Sequence, residues 1–177
     1  MPSTQSWSEF NSVGGTATET TNVAYMNWMN SDLPDTTGTV YTTYPITAGN
    51  SSFTKYQAVY FSGTFDQLSA MTFAVSTTTP GTYVTLNGAV VTTWSAPVAT
   101  ANTVTGSLAS PVSSGFGTSA FTPASSPTDG PFSSAGGSTT TTNPIYSNAF
   151  ITQIQTTASQ GPGDISSVTI TAAWTES

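Results

Sequence analysis

The segment from Phe53 to Phe65 constrains the fold most, because it predicts one long β-strand with apolar side chains on both faces. Alternate residues of a strand point to opposite sides. The large apolar residues fall on both sides, with Phe53, Val59, Phe61 and Phe65 on one and Tyr56, Ala58 and Tyr60 on the other. We therefore expect both faces of this strand to be partly covered. Gly63 indicates a bulge or the close approach of another backbone.

Other segments have the period-two alternation of strands. Residues 71–75 alternate apolar and small or polar side chains, as a half-buried strand does. Residues 145–157 and 165–174 are also predicted to be strands, and the Gly-Pro-Gly turn between them suggests that they pair as an antiparallel hairpin. Residues 39–44 have strand-type composition, and 23–29 are compatible with a short helix or a strand.

Asn87-Gly88 is the sharpest local turn signal. It separates two β-type runs, residues 83–86 and 89–94. Asn and Gly both tolerate positive φ, which a two-residue hairpin turn requires. The sequence therefore predicts a tight β-hairpin at Asn87-Gly88.

These patterns together predict an all-β fold, an antiparallel β-sandwich or jelly-roll. Residues 1–20 are predicted to form an N-terminal arm or a first edge strand, and 21–177 a single β-sandwich domain. Within that domain, residues 95–144 are rich in Ser, Thr, Gly and Pro and contain few large apolar residues. Long loops without structure are uncommon in compact domains. We expect this low-complexity insertion to be extended, with short strands and parts ordered by a neighbouring subunit.

Charge is nearly missing from the chain. Charged residues make up 5% of it, against about 25% in an ordinary domain. Lys55 is the only basic side chain and the formal net charge is −7, while 37 Thr and 26 Ser supply the polarity. Binding to phosphates needs several Lys or Arg, so we expect no nucleic-acid partner and no attraction to anionic membranes.

The residues of common catalytic sites are also missing. The chain has no His and no Cys, which excludes Ser-His-Asp and Cys-His arrangements. A Ser-Lys dyad could use only Lys55, which is better explained as a partly exposed or paired lysine. Asp32 and Asp35 flank Leu33-Pro34, where carboxylates usually accept backbone hydrogen bonds. We therefore predict no enzyme, no metal site and no cofactor.

Aromatic residues supply candidate contacts for partners. Six residues are predicted as interface residues: Trp7, Phe10, Trp94, Phe116, Phe121 and Phe132. Among the tryptophans, Trp94 ends a predicted strand and is expected to be the exposed one. It is therefore the first candidate for stacking on a sugar.

Two parts of the chain resemble a known class of proteins. Residues 53–73, with Phe61-Ser62-Gly63-Thr64-Phe65 and Asp66-Gln67-Leu68-Ser69, look like small β-sandwich virion proteins of tailed bacteriophages, and residues 150–174 are similar too. The resemblance covers less than half of the chain. It implies a capsid decoration, or cement, protein that binds the major capsid protein and copies of itself, often as a homotrimer.

This resemblance places the chain on the capsid surface of a virion, after assembly in the host cytoplasm. The first ten residues lack the basic and apolar regions of a signal peptide, which agrees with that expectation. Two alternatives remain open at this point. One is a receptor- or glycan-binding module of a tail fibre or adhesin, and the other is a subunit of an extracellular filament or surface layer.

Overall fold

The computed structural model describes residues 2–12, 17–92, 94–117, 139–163 and 165–177. Ten strands and one short helix lie in these residues. In chain order they are β1 (Ser3–Asn11), β2 (Thr18–Thr21), α1 (Val40–Thr43), β3 (Lys55–Gly63), β4 (Leu68–Val75), β5 (Val84–Val91), β6 (Val112–Ser113), β7 (Thr139–Thr140), β8 (Ile145–Tyr146), β9 (Ala149–Thr156) and β10 (Ile170–Glu176).

The strands form two antiparallel sheets that pack against each other as a β-sandwich, as the sequence predicts. The larger sheet has the order β2-β1-β3-β9-β5, with β8 paired to β3. The smaller has the order β10-β4-β6, with β7 paired to β4. The main core lies between the sheets and includes Phe61, Phe73 and Phe150.

Strand β3 is covered on both faces, which confirms the expectation from its composition. Val59 and Phe61 belong to the core between the sheets. Tyr56 and Ala58 face the other way and belong to a second buried cluster with Trp94 and other residues. The larger sheet therefore packs against the smaller sheet on one side and against connecting segments on the other.

The N-terminal segment is part of the larger sheet rather than a separate arm. Strand β1 lies between β2 and β3 and pairs with β3 from Ser3↔Gly63 to Phe10↔Tyr56. Adding β1 to β3 satisfies the backbone of both strands and buries Phe10 at 1% exposure. The first strand, β1, is thus an inner strand, and the edge of the sheet is formed by β2 at the end of the predicted arm.

The hairpin predicted at Asn87-Gly88 is wrong. Both residues lie inside the continuous strand β5, which pairs with β9 from Val84↔Thr156 to Val91↔Ala149. Neither has a positive φ. Gly88 instead lets another segment cross the strand, because its amide donates to the carbonyl of Gly106 at 3.0 Å. A Cβ at position 88 would lie 2.6 Å from Cδ1 of Leu108.

Two further local predictions are corrected. Residues 40–43 form the helix α1 rather than a strand, because Asp35 accepts hydrogen bonds from the backbone of this turn. Residues 23–29 form neither helix nor strand.

The predicted C-terminal hairpin is also wrong, since β9 pairs with β3 and β5 while β10 pairs with β4 in the other sheet.

Candidate functional site

The described residues form a groove of about 1030 Å³. Its sides are formed by residues 24–28, by parts of 41–48 and by residues of 160–163 and 165–170. Ile154 and Thr156 of strand β9 contribute to its base. We call this feature the groove. It is formed by segments far apart in sequence, which the fold brings together at one end of the larger sheet.

The side formed by residues 24–28 is tied to the sheet by specific bonds. The indole Nε1 of Trp28 donates to Oγ1 of Thr152 on β9 at 3.0 Å. The amide of Phe53 donates to the carbonyl of Met29 at 3.1 Å. Met29 itself is fully buried. These contacts hold a segment without regular secondary structure in one place, so its side chains are presented in a fixed arrangement.

The carboxylate of Asp35 fixes the turn that leads into α1. Its Oδ1 accepts the backbone amides of residues 37–40 at 2.7–3.2 Å, and its Oδ2 accepts the side-chain amide of Asn27 at 2.7 Å. Burial raises the pKa of Asp35, but these hydrogen bonds outweigh it and hold the pKa below its ordinary value of 3.8. Asp35 thereby orders two sides of the groove, through Asn27 and through α1, which carries Tyr41.

Tyr25 is the most exposed large side chain on the groove. It is 48% exposed, and its ring lies against Gly38, where a Cβ would come within 3.0 Å of Cε1. Gly38 has a φ of +76°, a conformation that other residues rarely adopt. Glycine is therefore required both by the backbone and by the ring. One side of Tyr25 is supported by the turn, and about half of the side chain remains open to a ligand.

The groove carries no charge among its described residues. Its polar groups are hydroxyls and carboxamides, from Asn27, Thr42, Thr47, Thr156, Gln160, Ser166 and Ser167. Its apolar groups include the rings of Tyr25, Trp28 and Tyr41. Such a surface can hydrogen-bond and stack, but it offers no ionic contact and no general acid or base that is ionised near neutral pH.

Apart from the groove, a buried polar cluster surrounds Lys55, the only lysine of the chain. The ammonium of Lys55 lies 2.8 Å from Oε1 of Glu9 and donates to the carbonyl of Leu33 at 2.6 Å. The side-chain amide of Asn11 donates to Glu9 at 3.2 Å and to Asp32 at 2.9 Å. Lys55 is thus a paired lysine, as one of the two sequence alternatives expected. Asp35 accepts backbone hydrogen bonds from its own turn, as predicted, whereas the backbone amide that Asp32 accepts belongs to Ser12, 20 residues away.

The candidate interface residues are mostly inside the chain. Trp94 is 5% exposed and packs against Tyr56, with ring centroids 6.1 Å apart, so the expectation of an exposed Trp94 is wrong. Phe10 and Phe116 are each 1% exposed and pack in the two cores. Trp7 is half-buried between the sheets, in contact with Phe73 and Phe150.

Phe121 and Phe132 lie outside the described residues. Sequence analysis missed Tyr25 and Tyr41, because only the fold reveals that these tyrosines share one groove. No pattern within a single segment indicates it.

In the described part of the chain, no three His, Cys, Asp or Glu side chains come together as a metal site would require. Its one helix has four residues, and no described helix could cross a bilayer. No protein-family model, no curated protein and no solved structure matches this chain. The groove and the charge distribution are therefore the observations from which a function can be argued.

Proposed function

We propose that this chain is a structural protein of a virion, a capsid decoration protein that binds the major capsid protein and copies of itself. The observation that carries the proposal is the distribution of charge. Seven of the nine charged side chains lie in the described residues, and Asp66 is the only one of these that is exposed. The surface of this part of the chain is formed almost entirely by uncharged groups.

The other six charged side chains are bound within the chain. Glu9, Lys55 and Asp35 are buried, at 0–1% exposure. The remaining three are half-buried and accept hydrogen bonds: Glu19 from Tyr146, Asp32 from Asn11 and Ser12, and Glu176 from Ser3. These five carboxylates thus fix loops and termini of the chain rather than hydrate its surface.

An uncharged, hydroxyl-rich surface favours burial against other subunits. Removing a charge from water costs far more than removing a hydroxyl that finds a new hydrogen-bond partner. The centres of protein interfaces are correspondingly depleted of charged residues, whereas freely soluble domains rely on surface charge to stay apart. This argument supports an assembly subunit, and the resemblance of residues 53–73 and 150–174 to phage virion proteins supports a capsid as the assembly.

Immunogold electron microscopy tests the proposal directly. An antibody is raised against the recombinant chain and applied to particles purified from the natural source of the sequence. We expect gold label on icosahedral heads. Label on tail fibres would favour a receptor-binding module instead, and label on helical filaments or surface layers would favour the third alternative. Either of these results, or unlabelled particles, overturns the proposal.

A further inference from the structure

We propose that the groove formed by residues 24–28, parts of 41–48, residues 160–163 and parts of 165–170 binds an uncharged oligosaccharide. This site goes beyond the structural role proposed above and does not depend on it. The inference uses three properties of the described residues that line the groove: their charge, the chemistry of their side chains and the way they are held in place.

No described residue that lines the groove is charged, and this favours one class of saccharide. Arginine or lysine side chains are the favoured partners of the carboxylate or sulfate of a charged sugar. The chain has no arginine, and its single lysine is buried against Glu9. The formal net charge of −7 would also repel an anionic ligand. A neutral sugar needs no cation for its recognition and is not repelled by the negative net charge of the chain.

The side chains combine the two contacts that a sugar ring needs. One face of a pyranose carries C–H groups that pack on an aromatic ring, while its edge carries hydroxyls that donate and accept hydrogen bonds. Tyr25 offers a half-exposed ring, and Tyr41 and Trp28 lie on the same groove. Hydroxyls of Ser166 and Ser167 and carboxamides of other lining residues can both donate and accept. This mixture matches sugars better than a purely apolar ligand.

The size and rigidity of the groove favour several sugar units over one. Pockets for small ligands usually enclose about 300–1,000 Å³. At about 1030 Å³ the groove lies just above that range. The bonds from Trp28 to Thr152 and from residues 37–40 to Asp35 hold its sides before a ligand arrives. Preorganisation of this kind reduces the entropy lost on binding.

The test is a glycan array followed by titration calorimetry. The fluorescently labelled full chain is applied to neutral oligosaccharides of glucose, galactose, mannose and N-acetylglucosamine, and to sialylated and sulfated glycans. We expect binding to one or more neutral oligosaccharides, and the strongest of these becomes the probe for calorimetry. Binding confined to charged glycans, or no glycan binding, overturns the proposal. A proline-rich peptide library that binds the groove when no glycan does would assign it to a peptide instead.

Matched tyrosine variants place the binding in the groove. Tyr25→Ala should weaken binding of the probe at least about tenfold, and Tyr25→Phe should retain most of it, because the phenyl ring preserves the stacking face. Tyr83→Ala is the control, since Tyr83 is 47% exposed and does not line the groove. Equal loss in the Tyr25→Ala and Tyr83→Ala variants would contradict this location. Because Tyr25 is exposed, thermal unfolding should confirm that its variants fold.

The array and the particle-labelling experiment can fail independently. Glycan binding by a chain found on icosahedral heads is compatible with both proposals. Absence of glycan binding by a chain found on heads rejects the groove proposal alone. Glycan binding by a chain that is absent from heads rejects the proposal of a capsid decoration protein and supports the proposal of an oligosaccharide site in the groove.

Discussion

Lys55 and Glu9 form an ion pair at 2.8 Å in which both side chains are at most 1% exposed. The register of β1 and β3 explains how they meet, because Glu9 lies opposite Gln57 and Lys55 is two residues further along the same face. The Leu33 carbonyl accepts a second hydrogen bond from the ammonium. The only basic side chain is therefore used inside the fold, where it neutralises a carboxylate between two inner strands.

Removing one member of this pair should be costly, and removing both should be less so. Lys55→Met leaves the Glu9 carboxylate buried without its cation, and we expect a loss of about 3–5 kcal/mol in the free energy of unfolding. Glu9→Gln should also destabilise the chain, because it leaves the ammonium unpaired. The double variant should recover much of the loss. Urea unfolding of all four proteins gives the coupling energy.

Additive losses in the double variant would contradict this account of Lys55 and Glu9.

The layered β-fold could be predicted from the sequence because it depends on period-two alternation within single strands. Residues 71–75 bury the face that their alternation indicates, residues 170–174 half-bury theirs, and β3 is covered on both sides. Pairing partners could not be predicted in this way. The pattern of β10 defines its buried face but carries no information on whether β9 or β4 lies beside it.

The incorrect predictions concern segments whose own preference is overridden by contacts with residues outside the segment. Asn87-Gly88 has strong turn chemistry, but its glycine is needed for the approach of Gly106 and Leu108. Residues 40–43 prefer a strand, but the carboxylate of Asp35 organises the turn into α1. The groove was not predictable for the same reason, since its sides are adjacent only in the folded chain.

The role of Gly88 can be tested by adding a single methyl group. Gly88→Ala would place Cβ 2.6 Å from Cδ1 of Leu108, a buried side chain that has little room to move. We expect a loss of about 1–3 kcal/mol, measured by urea unfolding. Leu108→Ala in the same background should relieve the clash, so the two losses should not add. Gly161→Ala is the control, because a Cβ there meets nothing within 4 Å.

Trp94 should behave as a core residue. Trp94→Ala removes a large side chain that is 5% exposed, and we expect it to destabilise the chain by about 3–5 kcal/mol. Trp94→Phe should cost much less, because it keeps an aromatic ring against Tyr56 and removes an indole N–H that has no partner among the described residues. Thermal unfolding separates the two variants. A neutral Trp94→Ala would contradict the buried position.

Asp35 should contribute stability that depends on pH. Its hydrogen bonds hold the pKa of the folded state below 3.8, so the carboxylate stabilises the fold fully at neutral pH. That contribution is lost as the pH falls below 3.8 and through the lower pKa of the folded state. Asp35→Asn keeps the size of the side chain but removes the charge that attracts the amides of residues 37–40. We expect it to cost about 1–3 kcal/mol at neutral pH.

The difference between the wild type and Asp35→Asn should shrink in acid, because protonated Asp35 no longer carries the charge either. Urea unfolding at neutral pH and at a series of values below 3.8 measures this convergence. Asp66→Asn provides the matched control, since Asp66 is exposed and the same replacement there should change stability little at any pH. A constant difference across the series would mean that Asp35 acts through its shape rather than its charge. In that case another contact would have to position α1 and Tyr41 on the groove.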